Sequence, residues 1–207
     1  MVSQTMYSQN LEEQFILQYF GNFVGTFLDI GANDGKTLSN TYALAQRGWK
    51  GYCIEPSPSA YKRLAELYKG SRKVKTYPFA IGDHNDTVPL YESGPLLNHE
   101  DTGLVSTFNA SEMERFRNKV TYTPVDVKVF KWRTFVNRLR NRQFDFISID
   151  VEGNDAMVAS QIDFSQTRCV CIEWNSNDIL RQTFKQLFGE NNFKIIYTSA
   201  ENLLFAR

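Results

Sequence analysis

The chain has 207 residues, 42% of them hydrophobic and 14% aromatic, which is enough apolar side chain to bury one continuous core. Its 23 basic and 23 acidic residues balance, so no overall field would attract a nucleic-acid backbone or an anionic membrane. The N-terminus shows no signal pattern, no apolar run approaches the roughly 20 residues that cross a bilayer, and three cysteines suit buried thiols in a reducing compartment. We therefore predict a single cytoplasmic domain over residues 1–207, without a membrane span.

The first half of the chain alternates strand-like and helix-like segments. Apolar residues at helical spacing predict an N-terminal helical lead-in over residues 1–22. Runs of β-forming residues predict three strands, at 25–30, 49–54 and 74–81. Helical spacing closed by a glycine predicts two connecting helices, at 37–47 and 58–68. This alternation is typical of a mostly parallel sheet with helices on both faces.

The second half predicts further strands at 88–91, 125–130, 144–149 and 169–174, and helices at 132–140 and 179–188. Residues 93–120 are rich in turn formers early on and lack a clear period, so we expect a mobile active-site loop region there. The chain closes with two strands, at 193–197 and 203–206, joined by a polar turn. Such an antiparallel C-terminal pair predicts the Rossmann-like class I methyltransferase fold, an α/β fold with a seven-stranded sheet.

Small residues form the turn after the first predicted strand, in the run DIGANDG at 29–35. Backbone amides of such a turn favour an anionic group, and Asp29, two residues before the first glycine, can receive an ammonium. S-adenosylmethionine carries both groups. A dinucleotide site would place glycines where Asn33 and Lys36 stand, which disfavours a nicotinamide cofactor. The predicted cofactor contacts in this turn are Asp29, Gly31, Ala32, Asn33 and Gly35.

The ends of the next two strands complete the predicted cofactor site. Glu55 ends the second strand, where its carboxylate can accept hydrogen bonds from both ribose hydroxyls. Ala80 and Ile81 end the third strand and offer an apolar surface to adenine, while the Asp83 carboxylate can receive the adenine amino group. The alternative for all of these is a set of ordinary strand-end turns that hold no ligand.

Acidic residues lie at the ends of the predicted strands at 144–149 and 169–174. Asp150 and Glu152 come directly after a buried strand, at the sheet edge where open α/β folds bind ligands, and Glu173 ends the next strand. Methyl transfer from a sulfonium requires in-line positioning of a nucleophile, and a hydroxyl acceptor also needs a base for its proton. We predict these three residues to be catalytic, with Asp150 also contacting the cofactor, and we expect no metal. A cap or structural hydrogen bond, or a shared divalent metal, is the alternative.

Two further groups of residues offer weaker candidates. His84 and His99 are the only histidines and could act as bases, but nothing in the sequence brings them to the methyl group, so exposed bystanders are the simpler interpretation. The basic cluster at 131–142 could meet a substrate phosphate, although a solvated helix face is favoured. Trp174, beside Glu173, is a core residue that could alternatively stack on a sugar ring.

Two motif blocks make the chain resemble the FkbM family of S-adenosylmethionine-dependent methyltransferases, named for an enzyme that methylates a macrolide hydroxyl. The opening block comprises YSQ at 7–9, FLDIGA at 27–32, SNT at 39–41, GWKG at 48–51 and IEP at 54–56; the second is IDVEG at 149–153. The resemblance covers nearly the whole chain. It departs at Asn154 and Asp155, where a glutamate is common at the second position.

The resemblance implies O-methylation of a hydroxyl on a sugar, glycolipid or related small molecule. It implies cofactor contacts at Asp29, Gly31, Asn33 and Glu55, and an Asp150 that faces the sulfonium and the acceptor. Asn40 and Pro56 of the opening block are further predicted cofactor contacts. Two alternatives stay open: an RNA ribose 2′-O-methyltransferase that uses the basic cluster, and a catalytically silent protein that only binds S-adenosylmethionine. The balanced charge argues against a nucleic-acid partner, and the sequence names neither the acceptor nor the oligomeric state.

Overall fold

A computed structural model describes residues 6–97, 101–139 and 142–207 of the chain. His99 and Arg140, both named above, lie outside these residues. Its strands are β1 (Thr26–Ile30), β2 (Lys50–Ile54), β3 (Val74–Tyr77), β4 (Ala80–Gly82), β5 (Asp86–Ser93), β6 (Tyr122–Lys131), β7 (Phe146–Ile149), β8 (Cys169–Glu173), β9 (Lys194–Thr198) and β10 (Asn202–Ala206). Its helices are α1 (Glu12–Phe20), α2 (Tyr42–Gln46), α3 (Pro58–Leu67), α4 (Ala110–Arg115), α5 (Trp132–Val136), α6 (Asp155–Ala159) and α7 (Asp178–Gly189).

The main sheet has seven strands in the order β3-β2-β1-β7-β8-β10-β9. The five strands from β3 to β8 run parallel, and β10 lies antiparallel to both β8 and β9. This order confirms the predicted fold, including the antiparallel pair at the end of the chain. Because β1, β2, β7 and β8 are parallel, their carboxyl ends meet at one edge of the sheet.

Apolar side chains cover both faces of this sheet, as the near-continuous hydrophobic runs of parallel strands require. Alternate residues of one strand enter different core clusters: Leu28 packs into a cluster with Phe135 and Phe184, whereas Phe27 packs with Ile16 and other residues. Helices α5, α6 and α7 thus contribute to one face, and α1 and α3 to the other. Within the described ranges, no helix is both long and apolar enough to cross a bilayer. The cytoplasmic location and the single-domain boundaries stay predictions.

One predicted strand was wrong, because part of it belongs to a second, three-stranded sheet. The run at 74–81 is not one strand but two, because β3 ends at Tyr77 and β4 begins at Ala80 in the other sheet, which has the order β4-β6-β5. Pro78 lies at the break and has no N–H to donate to a neighbouring strand. The change of sheet carries Ala80 and Ile81 away from the edge of β3, with β4 parallel to β6.

Two other predicted segments differ from the structure. The helix predicted at 37–47 is reduced to α2, because Leu38 has a positive φ of 54° and the Asp34 carboxylate holds the backbone amides of Lys36 and Thr37 in a turn. The region 93–120 is not wholly irregular: it contains α4 and an isolated bridge between Thr107 and Tyr91 of β5. Helix α6 has no counterpart among the predicted elements.

The segment before and at the start of α1 is hydrogen-bonded to the turn between β9 and β10. Glu12 is fully buried and accepts hydrogen bonds from the Ser199 hydroxyl at 2.8 Å and from the Asn202 amide at 3.2 Å. Glu201 in the same turn accepts a hydrogen bond from the Asn10 side chain at 2.8 Å. These contacts hold Gln9 and Glu201 at the rim of the cavity described below.

Candidate active site

A cavity of about 710 Å³ lies at the carboxyl edge of the main sheet, a volume in the range of small-molecule and cofactor sites. It brings together nearly all of the residues proposed above from the sequence: Asp29, Gly31, Ala32, Asn33, Asn40, Glu55, Pro56, Ala80, Ile81, Asp83, Asp150, Glu152 and Glu173. Gly35 is the exception. It does not line the cavity and packs against Leu64 and Leu67 of α3, with a φ of +78° that favours glycine.

Gly31 allows the ends of β1 and β7 to lie in contact. It has a φ of +86°, and a Cβ added there would overlap the backbone carbonyl oxygen of Asp150. The Asp150 amide donates to the Ile30 carbonyl at 2.9 Å, which fixes the same junction. The glycine is therefore required by the protein's own backbone, and it places Asp150 beside the first turn.

The amides of the first turn are used within the protein. Gly31 and Ala32 both donate to the Ile54 carbonyl at 3.0 Å, and the Asn33 amide donates to the Glu55 carboxylate at 2.8 Å. The turn therefore offers side chains to a ligand at these positions, and not the free N–H groups expected from the sequence.

Hydrogen-bond acceptors converge beside this turn. Asp29 is buried and accepts a hydrogen bond from the Thr41 hydroxyl at 2.6 Å. Burial raises the pKa of Asp29 to about 7, although the Thr41 hydrogen bond lowers it and the charge of Asp150 raises it further. The Asn40 amide nitrogen contacts Ser148 and Cys171, but its buried carbonyl oxygen Oδ1 has no hydrogen-bond partner among the described residues. An ammonium group would satisfy both Asp29 and Asn40.

Glu55 closes the neighbouring strand and holds two backbone amides. One carboxylate oxygen accepts from Asn33 and the other from Ser57 at 2.7 Å. Burial raises the pKa of Glu55 to about 7, although these two hydrogen bonds lower it. Each oxygen keeps a second lone pair that can accept a hydrogen bond from a hydroxyl group, so the geometry fits a ribose diol.

The apolar wall of the cavity comes from the second sheet. Ala80 and Ile81 of β4 are buried, and Leu90 of β5 adds to the same wall. Asp83 is exposed at the rim, where its carboxylate hydrogen-bonds the His84 ring and its pKa is lowered by that contact. Both side chains line the edge of the cavity. His84 is exposed, and its ring is hydrogen-bonded to Asp83.

Asp150, Glu152 and Glu173 form an acidic trio near the carboxyl ends of β7 and β8. One carboxylate oxygen from each residue lies within 4.8 Å of the other two, a spacing that also suits the divalent cation considered from the sequence. Burial raises the pKa of Asp150 to about 6, against the Arg115 charge and a backbone hydrogen bond from Glu152 that lower it. Burial followed by the charge of Asp150 raises the pKa values of Glu152 and Glu173 well above their ordinary range.

Sequence reasoning missed Arg115, the last residue of α4. Its guanidinium donates to Asn175 Oδ1 at 2.9 Å and to the Glu112 carboxylate at 3.0 Å, and it lines the cavity together with the acidic trio. Burial opposes its charge, but the carboxylates of Glu112, Glu152 and Glu173 raise its pKa on balance. The segment around Arg115 has no periodic pattern, so the sequence gives no signal that α4 reaches the strand ends.

Several weaker candidates lie away from the cavity. The described members of the basic cluster at 131–142 do not line it. Trp174 is buried and donates from its ring N–H to the Ser199 carbonyl at 3.0 Å, so its ring is part of the core. Asp155, the departure from the family pattern, is also buried and accepts hydrogen bonds from the amides of Val151 and Gly153. It shapes the loop that carries Glu152.

A comparison with models of protein families shows which family the chain belongs to. The model of the methyltransferase FkbM domain matches residues 29–195, from the end of β1 into β9. The chain belongs to this family. The FkbM domain match includes every strand end that lines the cavity, so the resemblance noted in the sequence is confirmed. No curated protein matches the sequence.

Solved structures share the fold of this FkbM domain. A candidate RNA methyltransferase from Pyrococcus horikoshii is 14% identical, with 95% of this chain and 83% of that chain covered and a TM-score of 0.51. The T. thermophilus 16S rRNA N2 G1207 methyltransferase, solved with AdoMet and guanosine, is 13% identical over 100% of this chain and 44% of its own, with a TM-score of 0.51. A candidate O-methyltransferase from Klebsiella pneumoniae is 9% identical, with 100% and 82% covered and a TM-score of 0.50. These similarities show a class I methyltransferase fold.

Proposed function

We propose that the protein transfers a methyl group from S-adenosylmethionine to a hydroxyl oxygen of a sugar, glycolipid or related small molecule. Membership of the FkbM family supports methyl transfer. The observation that carries the proposal is that one cavity is lined by ammonium acceptors, by Glu55 and by the acidic trio. A cofactor that joins an amino acid to a nucleoside would use these groups together.

The residues present fit that cofactor. Asn40 Oδ1 and the Asp29 carboxylate would hold the ammonium, and Asn33 Nδ2 would donate to a carboxylate; neither Asn40 Oδ1 nor Asn33 Nδ2 has a partner within the described part of the chain. Glu55 would accept from the ribose hydroxyls, and the apolar wall that includes Ile81 would cover adenine. When bound, the cofactor supplies a methyl group on a positively charged sulfur.

Asp150 is the residue best placed to accept the hydroxyl proton. Its pKa of about 6 would leave it mainly ionised near neutral pH, so it would be able to take the proton of an acceptor hydroxyl during methyl transfer. Glu152 and Glu173, whose pKa values are raised by burial and by the charge of Asp150, lie beside it and would hydrogen-bond the acceptor.

The test is methyl transfer from isotopically labelled S-adenosylmethionine to a panel of mono- and oligosaccharides, glycolipids and hydroxylated small molecules. We expect labelled methyl ethers with at least one acceptor. Asp150→Asn should lower turnover by about 100-fold or more, the usual contribution of a general base, while binding of S-adenosylhomocysteine persists. Undiminished turnover in Asp150→Asn would remove it from the mechanism. Label found only on RNA would replace the proposal with ribose methylation, and cofactor binding without any transfer would indicate a silent binding protein.

A further inference from the structure

The side chain of Asn33, in the turn after β1, has a buried donor that the protein does not use. The backbone amide of Asn33 donates to the Glu55 carboxylate at 2.8 Å. Its side chain is buried and lines the cavity, and its Nδ2 has no hydrogen-bond partner among the described residues. A buried NH₂ group without an acceptor costs free energy, so a ligand that brings an acceptor to this point would be favoured.

Arg63 of α3 holds the other end of the same amide. Its Nη2 donates to Asn33 Oδ1 at 3.5 Å. A guanidinium has N–H donors and no acceptor, so it can hold the carbonyl end of an amide but not the NH₂ end. The contact therefore fixes which way the amide points, with Oδ1 toward Arg63 and Nδ2 left for the cavity.

The Arg63 guanidinium is itself held in place by two other residues. Its Nη2 donates to the Thr102 carbonyl at 2.6 Å, and its Nη1 donates to the Thr102 hydroxyl at 3.1 Å and to the Ser59 carbonyl at 3.1 Å. The planar fork of an arginine can reach several acceptors at once and loses little freedom for each added bond. Arg63 is thus ordered before any ligand binds, and Asn33 with it.

The cofactor group that requires a donor at this turn is the carboxylate of its amino-acid tail. Asp29, Asn40 Oδ1 and Glu55 are acceptors, which suit an ammonium and ribose hydroxyls. A carboxylate only accepts hydrogen bonds. The amides of Gly31 and Ala32 donate to the protein's own backbone, so a side-chain donor must serve in their place.

We propose that Arg63 is a positioning residue for the cofactor: it fixes the Asn33 side chain so that Nδ2 donates to the carboxylate of S-adenosylmethionine. This inference rests on the proposed function. Arg63 is not among the residues that line the cavity, so it acts on the ligand through Asn33.

Calorimetry with two ligands separates the tail from the nucleoside. S-adenosylhomocysteine carries the carboxylate, whereas 5′-methylthioadenosine keeps adenine and ribose but has no amino-acid tail. Arg63→Met should weaken S-adenosylhomocysteine binding about tenfold, near the lower end of the effect of one hydrogen bond to a charged group, and leave the Kd of 5′-methylthioadenosine within about twofold. Lys62→Met is the matched control, because it removes a positive charge from an exposed side chain of the same helix and should alter neither Kd.

A double-mutant cycle tests whether Arg63 acts through Asn33. Asn33→Gly removes the side chain and suits the positive φ of 47° at this position, and it should also weaken S-adenosylhomocysteine about tenfold. In that background Arg63→Met should have less than about a twofold further effect, because the amide that it orients is gone. A merely structural role for Arg63 would instead add to the first loss, to about 100-fold in total.

Additive losses in the cycle, or equal weakening of both ligands by Arg63→Met, would overturn the proposal. If Arg63→Met does not fold, Arg63→Lys takes its place with the same selective loss expected, since one ammonium cannot reproduce the fork on Ser59, Thr102 and Asn33. No methyl acceptor enters these measurements. Selective, non-additive losses in a protein that methylates no hydroxyl would sustain the role of Arg63 and remove the proposed function, whereas a wild-type protein that binds neither ligand would remove both.

Discussion

Glu55 offers the sharpest test of how the cavity would bind a nucleoside. Glu55→Gln keeps the shape of the side chain but replaces one carboxylate oxygen by an NH₂ group. A ribose hydroxyl would then lose one charge-assisted hydrogen bond, which contributes about 1.5–3 kcal/mol. At 1.4 kcal/mol per factor of ten, this weakens binding of S-adenosylhomocysteine by roughly 10- to 150-fold. Isothermal titration calorimetry measures the change.

The structure provides a matched control for this substitution. Glu92 is also a carboxylate that accepts from Ser57, through its hydroxyl at 2.6 Å, but it does not line the cavity. Glu92→Gln should therefore alter unfolding in urea and leave the Kd within about twofold of wild type. A folded Glu55→Gln protein that binds as tightly as wild type would refute the ribose assignment. Equal weakening by both variants would assign the effect to the Ser57 turn.

Two further results are expected. Burial raises the pKa values of Asp29, Glu55 and Asp155 to about 7, so the cofactor-free protein holds protons that the unfolded chain has lost above about pH 4.5. Its urea midpoint should fall as pH rises from about 4.5 to 7, and a midpoint that rises over this range would contradict these shifts. Gly31→Ala should cost at least about 2 kcal/mol of unfolding free energy, because it adds an overlap with a backbone carbonyl to the strain of a positive φ. Gly70→Ala has the positive φ without a neighbour and should cost about 1 kcal/mol in the same urea assay; equal losses would show that the overlap is relieved.

The strand ends were predictable because their signals are local and repeated. Buried runs that stop at Asp29, Glu55, Asp150 and Glu173 mark the carboxyl ends of parallel strands. Parallel pairing brings those ends to one edge, so residues far apart in the chain could be placed in one cavity before any coordinates. The antiparallel C-terminal pair could also be predicted from local signals, because two short strand-like runs are joined by a polar turn.

Features that depend on distant contacts were not predictable. The run at 74–81 has β character except at Pro78, and its division between two sheets also depends on pairing with β6. The helical spacing at 37–47 is overridden by the Asp34 turn. Arg115 comes from a segment with no hydrophobic period, and only the packing of α4 against the loop at Gly153 brings it to the acidic trio.

The role of the turn after β1 could be predicted only in part from the sequence. The backbone amides of this small-residue turn were expected to face an anionic group, whereas they bond within the protein and Gly31 makes room for the Asp150 carbonyl. The chemistry that remains for a ligand belongs to side chains, chiefly Asp29 and Asn40. A pattern of small residues indicates close approach, but the sequence does not say what approaches.

A crystal structure of the protein with S-adenosylhomocysteine tests the central claim most directly. We expect the amino group within hydrogen-bond distance of Asp29 and Asn40 Oδ1, the ribose hydroxyls on Glu55, and the sulfur facing Asp150. A cofactor product bound elsewhere, or bound in the cavity with its ribose away from Glu55, would contradict the proposed site.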